Sequence, residues 1–206
     1  ARNNSVFVAY VNLVGGQDEL VFDGASLVLD PSGEVVARGS QFQEELIVVD
    51  LDPSDRAGVE DVAHVMVSKR SVGGERPALP NRQPKLYDPV GEVYAALLLG
   101  TRDYVAKCGF EKVVVALSGG IDSTLVAAIA TDALGADRVV GVAMPSRFSS
   151  EGSVLDARAL AEHMGFELRT IPIEDTFGAS LRALGPHFKG TEWGVAEENL
   201  QSRIRG

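Results

Sequence analysis

A single cysteine, Cys108, excludes an internal disulfide in this 206-residue chain, and that scarcity fits a reducing, cytoplasmic setting. Long apolar runs are missing as well: no stretch approaches the length of a membrane span, and none reads as a signal peptide. Positive charge is in short supply. Nineteen Lys and Arg stand against 29 Asp and Glu, a net charge of −10. This argues against nucleic-acid binding driven by phosphate contacts, and equally against an anionic membrane surface. The deficit is uneven: residues 1–70 hold 5 basic against 12 acidic residues, and the remainder 14 against 17. That asymmetry predicts two differently built halves. Neither GxGxxG nor GxxxxGK[ST] occurs, so neither dinucleotide binding of the usual kind nor lysine-assisted hydrolysis at a γ-phosphate is indicated.

What is present centres on VVVALSGGIDSTLVAAIATDALG, residues 113–135. An apolar, β-branched run at 113–117 suits a fully buried parallel strand. The SGGIDS turn follows at 118–123. A helix is expected over 124–134, with Leu125, Ala128, Ile129 and Ala133 on one face and Gly135 as its stop. Strand, glycine turn and helix N-terminus together make an anion site, because unpaired N–H groups and the positive end of the helix dipole face the loop. An ordinary strand–turn–helix junction is the bland alternative.

The rest of the chain divides around that stretch. Residues 6–13, 20–22, 25–29, 34–38 and 45–51 read as β structure in one antiparallel layer, with a hairpin turn at 30–33. Residues 53–58 are turn-rich, 59–69 form a short helix or strand, and proline-rich 71–87 is a linker. Asp88 then caps a helix that opens on Pro89 and runs to Lys107, with Val93, Leu97, Tyr104 and Cys108 as its buried stripe and Gly109 as its stop. Cys108 is accordingly read as a packed structural cysteine rather than a reactive thiol. Strands at 138–144 and 166–173 flank a helix that begins at Ser149 or Ser150 and ends at Met164–Gly165. The alternation describes a doubly wound α/β fold with a parallel sheet, in which ligands sit off the carboxyl ends of the strands. The loops 118–123 and 145–150 both lie there and are expected to meet over one nucleotide. A last helix starts near Val195, polar except for a seam of Leu200 and Ile204.

Three motifs in order carry a resemblance over nearly the whole chain. SGGIDS resembles the PP-loop of the ATP pyrophosphatases, which adenylylate a substrate at the α-phosphate of ATP. MPSRFSSEGS and EENLQSRIRG, beginning at 144 and 197, are similar to segments of glutamine-dependent NAD synthetases, with Ser202 where alanine is usual. The front of the chain, from VFVAYVNLVGGQDELVFDG onward, resembles the last third of a nitrilase-type amidase domain such as the glutaminase half of that family. A Glu–Lys–Cys triad hydrolyses glutamine there, and no catalytic residue of that triad is expected in this chain.

The resemblance implies a PP-loop α/β domain of the adenine nucleotide alpha hydrolase-like type over 88–206. Ahead of it stands a β-rich remnant of an α-β-β-α nitrilase-type domain over 1–70, the two joined by 71–87. The chain is expected to be a piece of a longer enzyme that amidates deamido-NAD to NAD with ATP, using ammonia from glutamine, and to be inactive alone. ATP would be bound by Ala116, Leu117, Ser118, Gly119, Gly120, Ile121, Asp122, Ser123, Met144 and Arg147. Asp122 would hold Mg²⁺, and Asn199 and Arg203 would face deamido-NAD. The family also implies a homo-oligomer, and neither nucleic acid nor membrane as a partner. Another PP-loop enzyme, such as a GMP or argininosuccinate synthetase, would share SGGIDS without the segment around Asn199. A nucleotide-binding module without chemistry would share the loop alone.

Overall fold

The computed structural model describes residues 1–51, 78–79, 83–188, 190, 192 and 194–206. The expected element at 59–69 and most of the expected linker lie outside the described residues. The chain divides into two compact units, Ala1–Gly100 and Thr101–Gly206.

The first unit is antiparallel β structure, in two sheets rather than one layer. Strands β1 (Val8–Tyr10), β4 (Leu27–Leu29) and β5 (Val35–Arg38) form one sheet in the order β1-β4-β5. β2 (Val14–Gln17) and β3 (Leu20–Asp23) form a separate hairpin. The expected strand over 6–13 therefore ends early. Asn12 breaks it: its N–H donates to Ser26 Oγ at 2.9 Å and its side-chain amide to Asp23 Oδ1 at 2.9 Å. Gly15 and Gly16, outside the expected strands, are strand residues paired with Phe22 and Val21. The hairpin around 30–33 is present, with a register shift between Val28 and Leu29. Asp30 closes its turn, Oδ1 accepting from the Glu34 N–H at 2.9 Å and the Ser32 hydroxyl at 2.6 Å. The expected strand at 45–51 is not formed. Its apolar residues are adjacent rather than alternating, and Leu46 is 79% exposed.

Helix α1 spans Pro89–Lys107. Asp88 caps it as expected, Oδ1 accepting from the N–H groups of Val90 at 3.0 Å and Gly91 at 2.9 Å. Its buried stripe differs from the expected one. Leu99 and Val105 are buried, whereas Val93, Leu97, Tyr104 and Cys108 are exposed. Leu99 and Val105 lie six residues apart, about 120° from each other around the helix, so no single helical period marks them in the sequence. The thiol of Cys108 thus fills no core position. Cys108→Ala is expected to change stability by less than about 0.5 kcal/mol. A loss of several times that in chemical denaturation would mean the thiol is packed after all.

The second unit is an α/β layer built from β6 (Val113–Leu117), α2 (Ile121–Leu134), β7 (Val139–Ala143), α3 (Glu151–Met164), β8 (Glu167–Thr170), α4 (Glu174–Leu184) and α5 (Val195–Arg205). The three strands are parallel in the order β6-β7-β8, with Val113 opposite Val139 and Val140 opposite Glu167. Val115, Leu117 and Val139 of the sheet pack with Ala127 and Ala130 of α2, Ala157 and Ala161 of α3, and Phe166. Alanines at the most buried positions bring both helices close to the strands, with Leu160 and Met164 of α3 packing at the margin, and each buried Val or Leu contributes about 1.5–3 kcal/mol by transfer from water.

Two patterns read from the sequence meet different surroundings here. β6 is an edge of the described sheet: Val115 and Leu117 are buried, but Val114 is 70% exposed. In α2 the buried face is Ala127, Ala130 and Thr131, with the Thr131 hydroxyl donating to the Ala127 carbonyl. Leu125 is exposed, because small residues rather than large ones meet the sheet. α2 also begins three residues earlier than expected, inside the SGGIDS turn. The α3 boundaries agree: Ser150 caps it, its hydroxyl accepting from the Ser153 N–H, and Gly165 ends it. β8 is shorter than the expected strand, and α4 was not anticipated. Phe177, Leu181 and Leu184, spaced four and three apart behind Glu174 and Asp175, carried its signal, and Phe177 is fully buried.

Candidate functional site

The SGGIDS turn leaves the carboxyl end of β6 and becomes the first turn of α2. Its backbone is shaped by Gly119, at φ +78°, where an added Cβ would lie 2.5 Å from the carbonyl oxygen and 2.6 Å from the Cα of Ser153. Only glycine fits, both for its torsion and because the first turn of α3 presses against it. Gly120 is the N-cap residue of α2, at an ordinary φ of −87°.

The hydroxyls of Ser118 and Ser123 close a ring inside the turn. Ser123 Oγ donates to the Gly120 carbonyl at 3.0 Å and lies 3.1 Å from Ser118 Oγ, which accepts from the Gly120 N–H at 3.2 Å. With Ser123 donating to Gly120, the Ser118 proton goes to Ser123, so both hydroxyl protons are spent within the loop. The first-turn N–H groups of α2 have no intrahelical partner and are the donors an incoming anion meets first.

A pocket of about 300 Å³ opens at the ends of β6 and β7. Ala116, Leu117 and Ser118 form one wall and Ala143, Met144 and Pro145 the other. Ser153 and Val154 of α3 contribute, as does Arg205 from the end of α5. Four residues singled out from sequence, Ala116, Leu117, Ser118 and Met144, are thus brought together, whereas Gly119, Gly120, Ile121, Asp122 and Ser123 follow Ser118 along the chain and do not line this pocket. Asp122 is exposed in the first turn of α2 and makes no hydrogen bond or ion pair with the described residues. No cluster of three metal-ligating side chains occurs among the described residues. A lone carboxylate beside a phosphate cradle nevertheless fits Mg²⁺, which takes one or two carboxylates and draws its other ligands from phosphate and water.

Arg147 does not line this pocket. Its guanidinium pairs with Glu174, Nε to Oε1 at 2.8 Å, and its N–H donates to Glu174 Oε2 at 3.2 Å. Those bonds hold the Glu174 carboxyl below the usual carboxylate range and raise Arg147 above its ordinary value. Asn199 and Arg203 lie in neither place. They line a separate groove of about 360 Å³ with Leu181 and Leu184 of α4, Phe188, and Leu200 of α5.

Arg205, Ser146, Gln201 and Glu174 were not found from the sequence. Arg205 Nε donates to the Met144 carbonyl at 3.1 Å, and its Nη2 donates to Ser146 Oγ at 3.3 Å. Ser146 Oγ in turn donates to Gln201 Oε1 at 2.7 Å. These bonds join residues 55 to 61 positions apart, and no periodicity announces them. Glu174 could have been suspected only once α4 was recognised.

A parallel sheet whose first strand runs through a glycine turn into a helix, with an open pocket off the strand ends, is the arrangement of the doubly wound α/β domains, and the match of residues 93–206 to NAD synthases makes it one of the PP-loop class. The NAD synthase family model matches residues 93–206 and the carbon–nitrogen hydrolase model residues 1–60. The chain belongs to the NAD synthase family. It is 47% identical to a glutamine-dependent NAD(+) synthetase of Thermotoga maritima, aligning over 100% of this chain and 38% of that protein. It is 46% identical to the corresponding protein of Aquifex aeolicus over the same shares. Among solved structures it is similar to the glutamine-dependent NAD+ synthetase of Acinetobacter baumannii in complex with ADP. That match has a TM-score of 0.78 at 35% identity, over 98% of this chain and 35% of that one. The chain spans a little over a third of the length of the curated relatives it matches. Among the described residues, no helix is long and apolar enough to cross a membrane.

Proposed function

We propose that the whole protein converts deamido-NAD to NAD by ATP-dependent amidation, with ammonia drawn from glutamine, and that this chain supplies its ATP-binding loop. The observation that carries the reading is the SGGIDS turn, an open glycine cradle on the N-terminus of α2, within a segment that matches NAD synthases from residue 93 to 206. Residues 1–70 are read as the end of a nitrilase-type glutaminase domain, 71–87 as a linker, and 88–206 as the start of the synthetase domain. The names of the relatives support the glutamine-dependent form. Cytoplasmic location and homo-oligomeric assembly are part of the same proposal.

The nicotinate carboxylate is a poor electrophile at neutral pH. One of its oxygens attacks the α-phosphorus of ATP, the α–β phosphoanhydride bond breaks, and pyrophosphate leaves. Ammonia then adds to the acyl carbon of the adenylate and AMP departs with the carboxylate oxygen. The protein's task is to hold the leaving pyrophosphate and offset its charge. The N–H groups at the start of α2 and the glycine turn face it, and the hydroxyls of Ser118 and Ser123 join once their internal ring opens. Asp122 would hold Mg²⁺, which supplies charge neutralisation across the phosphate oxygens when bound. Asn199 and Arg203, in the groove between α4 and α5, would receive deamido-NAD, with Arg203 suited to its pyrophosphate. Met144 would border the adenine nucleotide, and Arg147 would reach it after leaving Glu174.

NAD formation by the whole protein from deamido-NAD and ATP, with glutamine or ammonium as nitrogen source, tests the reading. Turnover of GMP- or argininosuccinate-type substrates instead, or ATP binding without any amide product, would overturn it. Within the same assay, Asn199→Ala is expected to raise the Michaelis constant for deamido-NAD by a few-fold to about tenfold, the worth of one neutral hydrogen bond. ATP affinity measured without deamido-NAD should be unchanged. Constants equal to wild type would make the polar face of α5 merely solvated.

A further inference from the structure

The loop after β7 is held from two sides. On the α4 side, the Ile173 N–H donates to the Pro145 carbonyl at 3.1 Å and Arg147 pairs with Glu174. On the α5 side, Arg205 reaches the Met144 carbonyl and the Ser146 hydroxyl, and Gln201 takes the Ser146 proton. Ser146 Oγ also accepts from the Phe148 N–H at 3.3 Å. It therefore donates once and accepts twice, the full capacity of a hydroxyl. Ser146 and Gln201 are both half-buried, so a lost partner there is not simply replaced by bulk water.

α4 and α5 themselves meet across the groove that carries Asn199 and Arg203. Loop, α4, groove and α5 thus close a circuit, and Met144 and Pro145 in that circuit are also a wall of the nucleotide pocket. A ligand bridging α4 and α5 fixes the spacing of the two helices. Gln201 and Glu174, on those two helices, are residues that hold the loop whose Met144 and Pro145 wall the pocket.

We propose that Gln201, acting through Ser146, is a positioning residue that couples the α5 groove to the nucleotide pocket, so that each ligand tightens the binding of the other. This rests on the functional reading above, which assigns deamido-NAD to the groove and ATP to the pocket. Coupling of this kind is reciprocal and ordinarily amounts to a factor of about 5–150 in affinity.

The test uses the whole protein and α,β-methylene ATP, which cannot lose pyrophosphate. Its affinity is measured by calorimetry with and without saturating deamido-NAD. Wild type should bind the analogue at least about fivefold more tightly when deamido-NAD is present. Gln201→Leu, which cannot accept the Ser146 proton, should bring that ratio below about twofold while the affinity without deamido-NAD stays within about threefold of wild type. Gln201→Glu keeps an acceptor oxygen and should restore the ratio, which a merely structural loss would not do. A wild-type ratio of one, or a Gln201→Leu ratio equal to wild type, overturns the coupling. If both ligands bind wild type independently, only this inference fails; if neither binds, the functional reading fails with it.

Discussion

Gly119→Ala is expected to destabilise the second unit by about 2–5 kcal/mol and to remove ATP binding with it. The left-handed torsion costs a non-glycine residue roughly 1–2 kcal/mol, and forcing a methyl into a packed contact costs about 1–3 kcal/mol more. The contact at issue is backbone: Ser153 O and Cα would lie 2.5 and 2.6 Å from the new Cβ, so no side-chain rotation relieves it. Either the turn changes shape or α3 retreats from β6, and α3 carries Ala157 and Ala161 in the core. Gly120→Ala is the control. Its φ is −87°, and its Cβ would meet only the hydroxyl of Ser118 at 3.2 Å, the end of a movable side chain. Urea denaturation of the two variants should separate them by more than about 1 kcal/mol. Equal midpoints would mean that the turn is not braced against α3.

Asp122→Asn should do the reverse, sparing the fold and stopping the chemistry. The carboxylate has no partner among the described residues, so its loss removes only a favourable charge near the N-terminus of α2, about 0.3–1 kcal/mol. Adenylylation, in contrast, should fall by about a hundredfold or more, the usual cost of deleting one group that stabilises charge in a transition state. Deamido-NAD-dependent pyrophosphate release by the whole protein reads this out. A rate within a few-fold of wild type would take Asp122 out of the metal site.

How much of this was legible beforehand depends on whether the signal was local. β6, the Ser150 cap and the Asp88 cap are written in adjacent residues, and all three formed where expected; the glycine turn formed as well, but α2 takes its last three residues. The buried faces of α1 and α2 were not legible. α2 carries apolar residues on more than one face, Leu125 and Val126 among the exposed ones, and the choice of Ala127 and Ala130 over Leu125 depends on how closely the helix approaches the sheet. The two sheets of the first unit were missed because Asn12 divides a continuous apolar pattern through bonds to Asp23 and Ser26. At the site, the pocket wall from Ala116 to Ser118 and Met144 is local to strand ends. The Arg147–Glu174 pair and the Arg205–Ser146–Gln201 bonds are tertiary, and only the folded chain brings them together.

The central claim is that the SGGIDS turn holds pyrophosphate as it leaves, and the products of ATP test it directly. With ATP labelled at the β-phosphate, deamido-NAD and an ammonia source, the whole protein should release the label as pyrophosphate, one per NAD formed, with AMP as the other product. Label appearing in ADP, with inorganic phosphate released from the γ-position, would contradict the account.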